Sequence, residues 1–189
     1  MKRSITRKKA LGIAAGAAAL ILATLIACGL LPQLRYDWPR LDHYDVYRIL
    51  EIAGWLLTAC GLLSGRHRLA AVGALLIAGS FLYWYPPGTL LWFLRRKPAQ
   101  ASILLAHLAA IILFLISLLS SRAALPPGIA ACAAELASVV LGTLTDRQFT
   151  GFTADQLLLD LLPAAVFVLT GFARKSDPSE PETPRTGKI

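Results

Sequence analysis

Four ionisable side chains, Glu135, His107, Asp160 and Glu51, lie within or at the edge of long apolar runs. A carboxylate held in hydrocarbon costs several kcal/mol unless it is protonated, paired or reached by water. Counting ~1.5 Å of rise per helical residue, Glu135 lies roughly 15 Å into its run and His107 about 9 Å from the opposite end of the run before it. In two antiparallel helices those depths nearly coincide. A carboxylate and an imidazole that meet there can relay a proton or hold a polar ligand. The plainer arrangement is a protonated Glu135 bonded to a neighbouring helix, with His107 bonded separately.

Asp160 stands just before Pro163. A proline inside a helix frees the carbonyl four residues back, here that of Leu159, so a backbone acceptor and a carboxylate become neighbours, as in the broken helices that line binding sites. Glu51 begins its own run at about the same depth, and Glu51, Asp160 and His107 are candidates to line one polar cavity. With Glu135 they make up the expected substrate-binding set. The simpler account of Glu51 and Asp160 is placement near helix starts, where the helix dipole favours anions.

Asp42, His43 and Asp45 are metal-capable and close together, but no second cluster with ligand spacing supports them. A capping role for Asp42 or Asp45 beside a solvated His43 is expected instead. No metal or other cofactor is expected. The segment from Leu25 through Ile26 and Ala27 to Cys28 matches the small-residue pattern that precedes a lipidated cysteine, and the alternative is a packed thiol. Cys28, Cys60 and Cys132 are odd in number and far apart, which argues against a disulfide framework or a zinc site. There is no glycine-rich phosphate loop, no H-E-x-x-H and no G-x-S-x-G, so soluble enzyme chemistry has no visible seat.

The elements that position these residues must be membrane helices. Of the 189 residues, 56% are hydrophobic and only 16% charged, and the mean hydropathy is +0.60, more apolar than a soluble core requires. A spanning helix takes roughly 20 apolar residues, because backbone groups in hydrocarbon must be paired internally. The sequence divides into spans over residues 10–31, 49–64, 69–85, 101–120, 126–144 and 153–172, the last opening on a capping box of Thr153 and Gln156. The expected fold is all-α, a polytopic integral membrane helix bundle of about six transmembrane helices. Residues 1–9 form a basic cytoplasmic terminus, residues 10–173 the transmembrane domain, and residues 174–189 a polar, proline-rich cytoplasmic tail with too little apolar surface to fold.

Between the spans, residues 32–48 are expected as an interfacial loop, and the run 89–94, closed by Arg95, Arg96 and Lys97, as a half-buried segment too short to cross. Gly12 with Gly16, and Gly61 with Gly65, have the spacing that lets helices approach closely, within the chain more often than between chains.

The net charge of +8 comes from 19 Lys and Arg scattered among loops and ends, a topology signal and not a nucleic-acid stripe. Lys2, Arg3, Arg7, Lys8 and Lys9, with Arg174, Lys175, Arg185 and Lys188, favour cytoplasmic termini in the plasma membrane of a bacterial cell, although Arg95, Arg96 and Lys97 then fall outside. The expected partners are the lipid bilayer and other membrane subunits, with no nucleic acid. Length and helix number are similar to those of the substrate-binding subunits of energy-coupling-factor vitamin transporters, and Ala14 with Ala18 suits the small-residue packing face of such subunits. That likeness of architecture, without a motif, implies binding or transport of a small solute, or service as the membrane subunit of a transporter. The alternative is an accessory membrane protein acting through helix contacts. An intramembrane enzyme using Glu135, Asp160 and His107 comes last, since no nucleophile accompanies them.

Overall fold

A computed structural model describes residues 2–37, 42–120, 124–145 and 154–174. They form α1 (Lys2–Asp37), α2 (His43–Leu63), α3 (His67–Trp84), α4 (Pro87–Arg96), α5 (Pro98–Leu119), α6 (Leu125–Thr145) and α7 (Ala154–Arg174), with no strand among the described residues. Five stretches, Arg7–Pro32, His43–Leu63, His67–Trp84, Pro98–Leu119 and Leu125–Leu144, are long and apolar enough to cross a membrane. In α7 the apolar stretch Leu161–Arg174 is shorter, although the helix itself has 21 residues. The protein is therefore a polytopic helical membrane protein.

Two boundaries differ from the sequence expectation. The expected loop over residues 32–48 is mostly helix, because α1 continues through Pro32 to Asp37 and α2 begins at His43. A capping box sets the start of α2: the Asp45 amide donates to Asp42 Oδ1 at 2.8 Å, and the Asp42 amide donates to Asp45 Oδ2 at 3.1 Å. Two of the orphan amides at a helix start are satisfied reciprocally, so the aromatic stretch after Asp42 is wound into the helix. Thr153 and the tail beyond Arg174 lie outside the described residues.

The six long helices form a closed ring, in which α1 packs on α2, α2 on α3, α3 on α5, α5 on α6, α6 on α7 and α7 back on α1. The chain alternates direction around it, and α4 lies outside the ring against α5. One end of the bundle carries the start of α1, the α2–α3 turn and the end of α7; it is called the basic end below. The opposite end carries the starts of α2 and α5, the end of α3 and helix α4, and is the aromatic end.

Small residues set the helix spacing. In α1 the buried positions are Ala15, Ala19, Leu22, Ala23, Ile26 and Leu30, a repeat of three and four residues that marks one helix face. Against it, a Cβ built on Gly16 would stand 2.7 Å from Cγ of Leu63 in α2. The α2–α3 hairpin is closer still, with Gly54, Thr58 and Gly61 facing Gly73, Ile77 and Ala70, and Thr58 Oγ1 donating across it to the Ala70 carbonyl at 3.5 Å. Gly65, at φ +69, makes the turn: its amide bonds the Leu62 carbonyl and that of Arg66 the Gly61 carbonyl, a left-handed helix stop that favours glycine. The α6–α7 contact repeats the device with Gly128 against Gly171, where a Cβ on Gly128 would meet the Gly171 Cα at 2.8 Å. In lipid no hydrophobic force holds helices together, so close van der Waals contact takes its place. The glycines of the sequence pattern thus serve packing within the chain, and Gly65 serves the turn.

The centre of the ring is filled. Phe167 of α7 stacks on Trp55 of α2 with ring centroids 6.3 Å apart and lies 4.5 Å from Phe114 of α5, and all three are buried. Two buried hydroxyls are answered within their own helices: Ser80 donates to the Ile77 carbonyl and Thr170 to that of Val166, the usual way a helix hides a hydroxyl from hydrocarbon. Cys28 is exposed on an unbroken α1. A processing cut before Cys28 would remove Ala15, Ala19, Leu22, Ala23 and Ile26 from the core, so the packing favours an uncleaved α1.

Candidate functional site

The buried carboxylate of α6 meets the imidazole of α5 directly. His107 Nδ1 lies 2.9 Å from Oε2 and 3.0 Å from Oε1 of Glu135, whose residue exposure is 4%. The antiparallel α5–α6 pair produces this register, held one turn further along by Ser138 Oγ donating to the Ile103 carbonyl at 3.2 Å. With one proton between them, the two groups are either imidazolium and carboxylate or imidazole and carboxylic acid. Both forms are hydrogen-bonded and neutral as a pair, which removes the cost of an isolated ion in hydrocarbon. Glu135 and His107 thus bond each other directly, where the plainer expectation had given them separate partners.

The pair faces an aromatic wall. Phe81 of α3 lies 5.4 Å from the His107 ring and 5.2 Å from Tyr85, which in turn lies 6.4 Å from Phe93 of α4. Trp84 lies 6.4 Å from Tyr85 and also meets Tyr47, so the wall continues to α2. There Arg48 binds Glu51 at 2.8 Å, donates from Nε to the Tyr44 oxygen at 2.9 Å, and sits 5.2 and 5.3 Å from the Tyr44 and Tyr47 ring centroids. A guanidinium over tyrosine faces is attracted by the ring quadrupole. Trp84 closes this group by stacking on Tyr47 at 5.5 Å.

Of the expected set, the structure therefore joins His107 to Glu135 and gives Glu51 a different partner, Arg48, three residues back on its own helix. Between Glu51 and the pair stand the rings of Tyr47, Trp84, Tyr85 and Phe81. Asp160 falls within α7, but its side chain lies outside what is described; Pro163, which follows it, is a buried residue inside the helix. Asp42 and Asp45 are committed to the helix cap. His43 is exposed, as expected, yet its ring stacks on Tyr83 at 4.1 Å. Among the described residues no group of three or more His, Cys, Asp or Glu could hold a metal ion.

Arg48, Tyr44 and Tyr47 escaped the sequence reading, and Phe81 and Tyr85 stood out in it only as aromatics at the end of the third span. Tyr44, Tyr47, Arg48 and Glu51 are spaced as one helix face, three, four and seven residues from the first. That spacing is visible only if the helix starts at Asp42. Placing its start at residue 49 left three of the four in a loop.

Chemically, the cluster offers one proton-carrying pair at depth, a second charged pair nearer the aromatic end, and π-faces between them. It contains no activated nucleophile. No protein-family model, curated protein or solved structure matches this chain.

Proposed function

We propose that this protein is a membrane-embedded binder of a small polar solute, which enters from the aromatic end and is held at the Glu135–His107 pair. The contact between Glu135 and His107 carries this reading: an ionisable pair retained where a hydrophobic pair would pack at no desolvation cost points to function before stability. The tyrosine and tryptophan rings between Glu51 and His107 suit the apolar walls of a small-molecule site with a few fixed polar groups. The filled centre at Trp55, Phe114 and Phe167 favours a binding component, or the membrane subunit of a transporter, over an open channel.

Native mass spectrometry of the gently extracted protein tests the proposal. The wild type is expected to carry a small-molecule adduct that Glu135→Gln loses while keeping its thermal midpoint, because glutamine preserves the shape and one hydrogen bond but not the proton exchange. A wild-type chain that flies bare, or with a stoichiometric protein partner, would instead assign it the accessory role.

The basic end faces the cytoplasm in this proposal, in keeping with Lys8, Lys9, Arg66 and Arg68 near that end. In a background with Cys28, Cys60 and Cys132 replaced by serine, a cysteine at position 43 should react with an impermeant thiol reagent added outside intact cells. One at position 66 should react only after the membrane is opened. The reverse pattern would invert the topology.

A further inference from the structure

At the basic end, far from the Glu135–His107 pair, a groove of about 740 Å³ opens between α3 and α5, lined by Arg66, His67, Arg68, Leu69, Val72, Leu118, Leu119 and Arg174. Among the described residues its polar lining is cationic or imidazole, and the remaining lining is aliphatic. We propose that this groove binds the phosphate headgroup of an anionic phospholipid, with the acyl chains lying along Val72 and Leu119.

Arg174 is held in place as part of the wall. Its Nη1 donates to the Ser117 carbonyl at 2.6 Å and to that of Leu118, the free acceptors at the C-terminus of α5. A guanidinium carries five N–H donors, so this anchorage fixes the group without exhausting it. His67 adds its ring to the wall between Arg66 and Arg68. Arg66 occupies the N-cap of α3 without a side-chain cap bond, so the positive end of that helix dipole adds to the three arginines.

The aliphatic lining identifies the source of the phosphate. Val72 is 52% and Leu119 63% exposed, and Leu75, three residues beyond Val72 on the same helix, is 55% exposed. A dissolved phosphate makes no use of such a surface, whereas a phospholipid buries its chains against it while its headgroup meets the arginines. Basic pockets between membrane helices at the headgroup level are suited to this chemistry.

The test uses the full chain in detergent, titrated with phosphatidylglycerol or phosphatidylcholine and read by native mass spectrometry. The wild type is expected to retain phosphatidylglycerol in preference to phosphatidylcholine, and the double variant Arg66→Gln with Arg68→Gln to weaken that retention by about tenfold or more, as expected for two cations at a lipid headgroup. Both arginines are exposed, so the variant keeps the fold, and Arg174 is left intact because it ties α7 to α5. The matched control, Arg95→Gln with Arg96→Gln at the aromatic end, removes the same charge and should leave retention unchanged. Equal retention of the two lipids, or equal losses in the two double variants, would overturn the proposal. Displacement of the lipid by millimolar inorganic phosphate would also overturn it, by marking the groove as a site for the free anion.

Discussion

Gly73→Leu should abolish the folded protein, lowering the monodisperse yield in detergent at least tenfold, whereas Gly79→Leu on the same helix should leave it unchanged. A Cβ at position 73 would stand 2.5 Å from both the Gly54 carbonyl oxygen and the Thr58 amide nitrogen. Those are backbone atoms of α2 and cannot rotate away, so the helices themselves must part. The hairpin they form is the closest approach in the ring, and separating it also strains the Thr58 to Ala70 hydrogen bond. Overpacking of this kind costs about 3 kcal/mol in a well-packed interior, enough to shift a folding equilibrium by about a hundredfold. At Gly79 a Cβ meets nothing within 4 Å, and a leucine there faces lipid. Equal yields of the two variants in fluorescence-detected size exclusion would mean that α2 and α3 are not packed as described.

Phe167→Ala carries the second large effect, a loss of about 3 kcal/mol that places it at the low end for truncation of a buried aromatic. Its ring is the contact between Trp55 of α2 and Phe114 of α5, so the deletion empties the middle of the ring and leaves two aromatic faces without neighbours. In a bilayer the hydrophobic transfer term is weak, because lipid is as apolar as the protein interior; the loss comes mainly from van der Waals contacts. A lowered thermal midpoint is therefore expected for Phe167→Ala, with Phe167→Leu between it and the wild type. If the alanine variant melts with the wild type, the centre of the bundle is not filled as the structure has it.

Together the two variants bear on function as well as stability. They probe helix contacts other than the α5–α6 contact that joins His107 to Glu135. A chain that loses solute binding on Glu135→Gln while Phe167→Leu retains it would place the chemistry at the α5–α6 contact and not in the general integrity of the ring.

Several features of this protein were determined by its sequence alone. The apolar runs set the helical, membrane-embedded fold class, because hydrocarbon demands internal pairing of every backbone group and a helix supplies it locally. The depths of His107 and Glu135 follow from residue rise in the same local way, which is why their meeting was foreseeable from two numbers in two neighbouring runs. The short turn that opens at Gly65 and the shortness of the run before Arg95 were legible for the same reason.

Only the tertiary structure decided the rest. Asp42 and Asp45 cap α2 by a reciprocal bond, the role expected of them, but the apolar run alone put the helix start at residue 49; the six added residues turned Tyr44, Tyr47 and Arg48 toward Glu51. Which helices are neighbours is not written in any periodicity: α3 and α5 meet across the intervening α4, and α1 and α7 meet from opposite ends of the chain. Those contacts place Phe81 beside His107, Phe167 between Trp55 and Phe114, and Arg174 on the carbonyls that end α5. Each joins residues distant in sequence, and the shape and small-residue contacts of packed helices choose them; local spacing cannot.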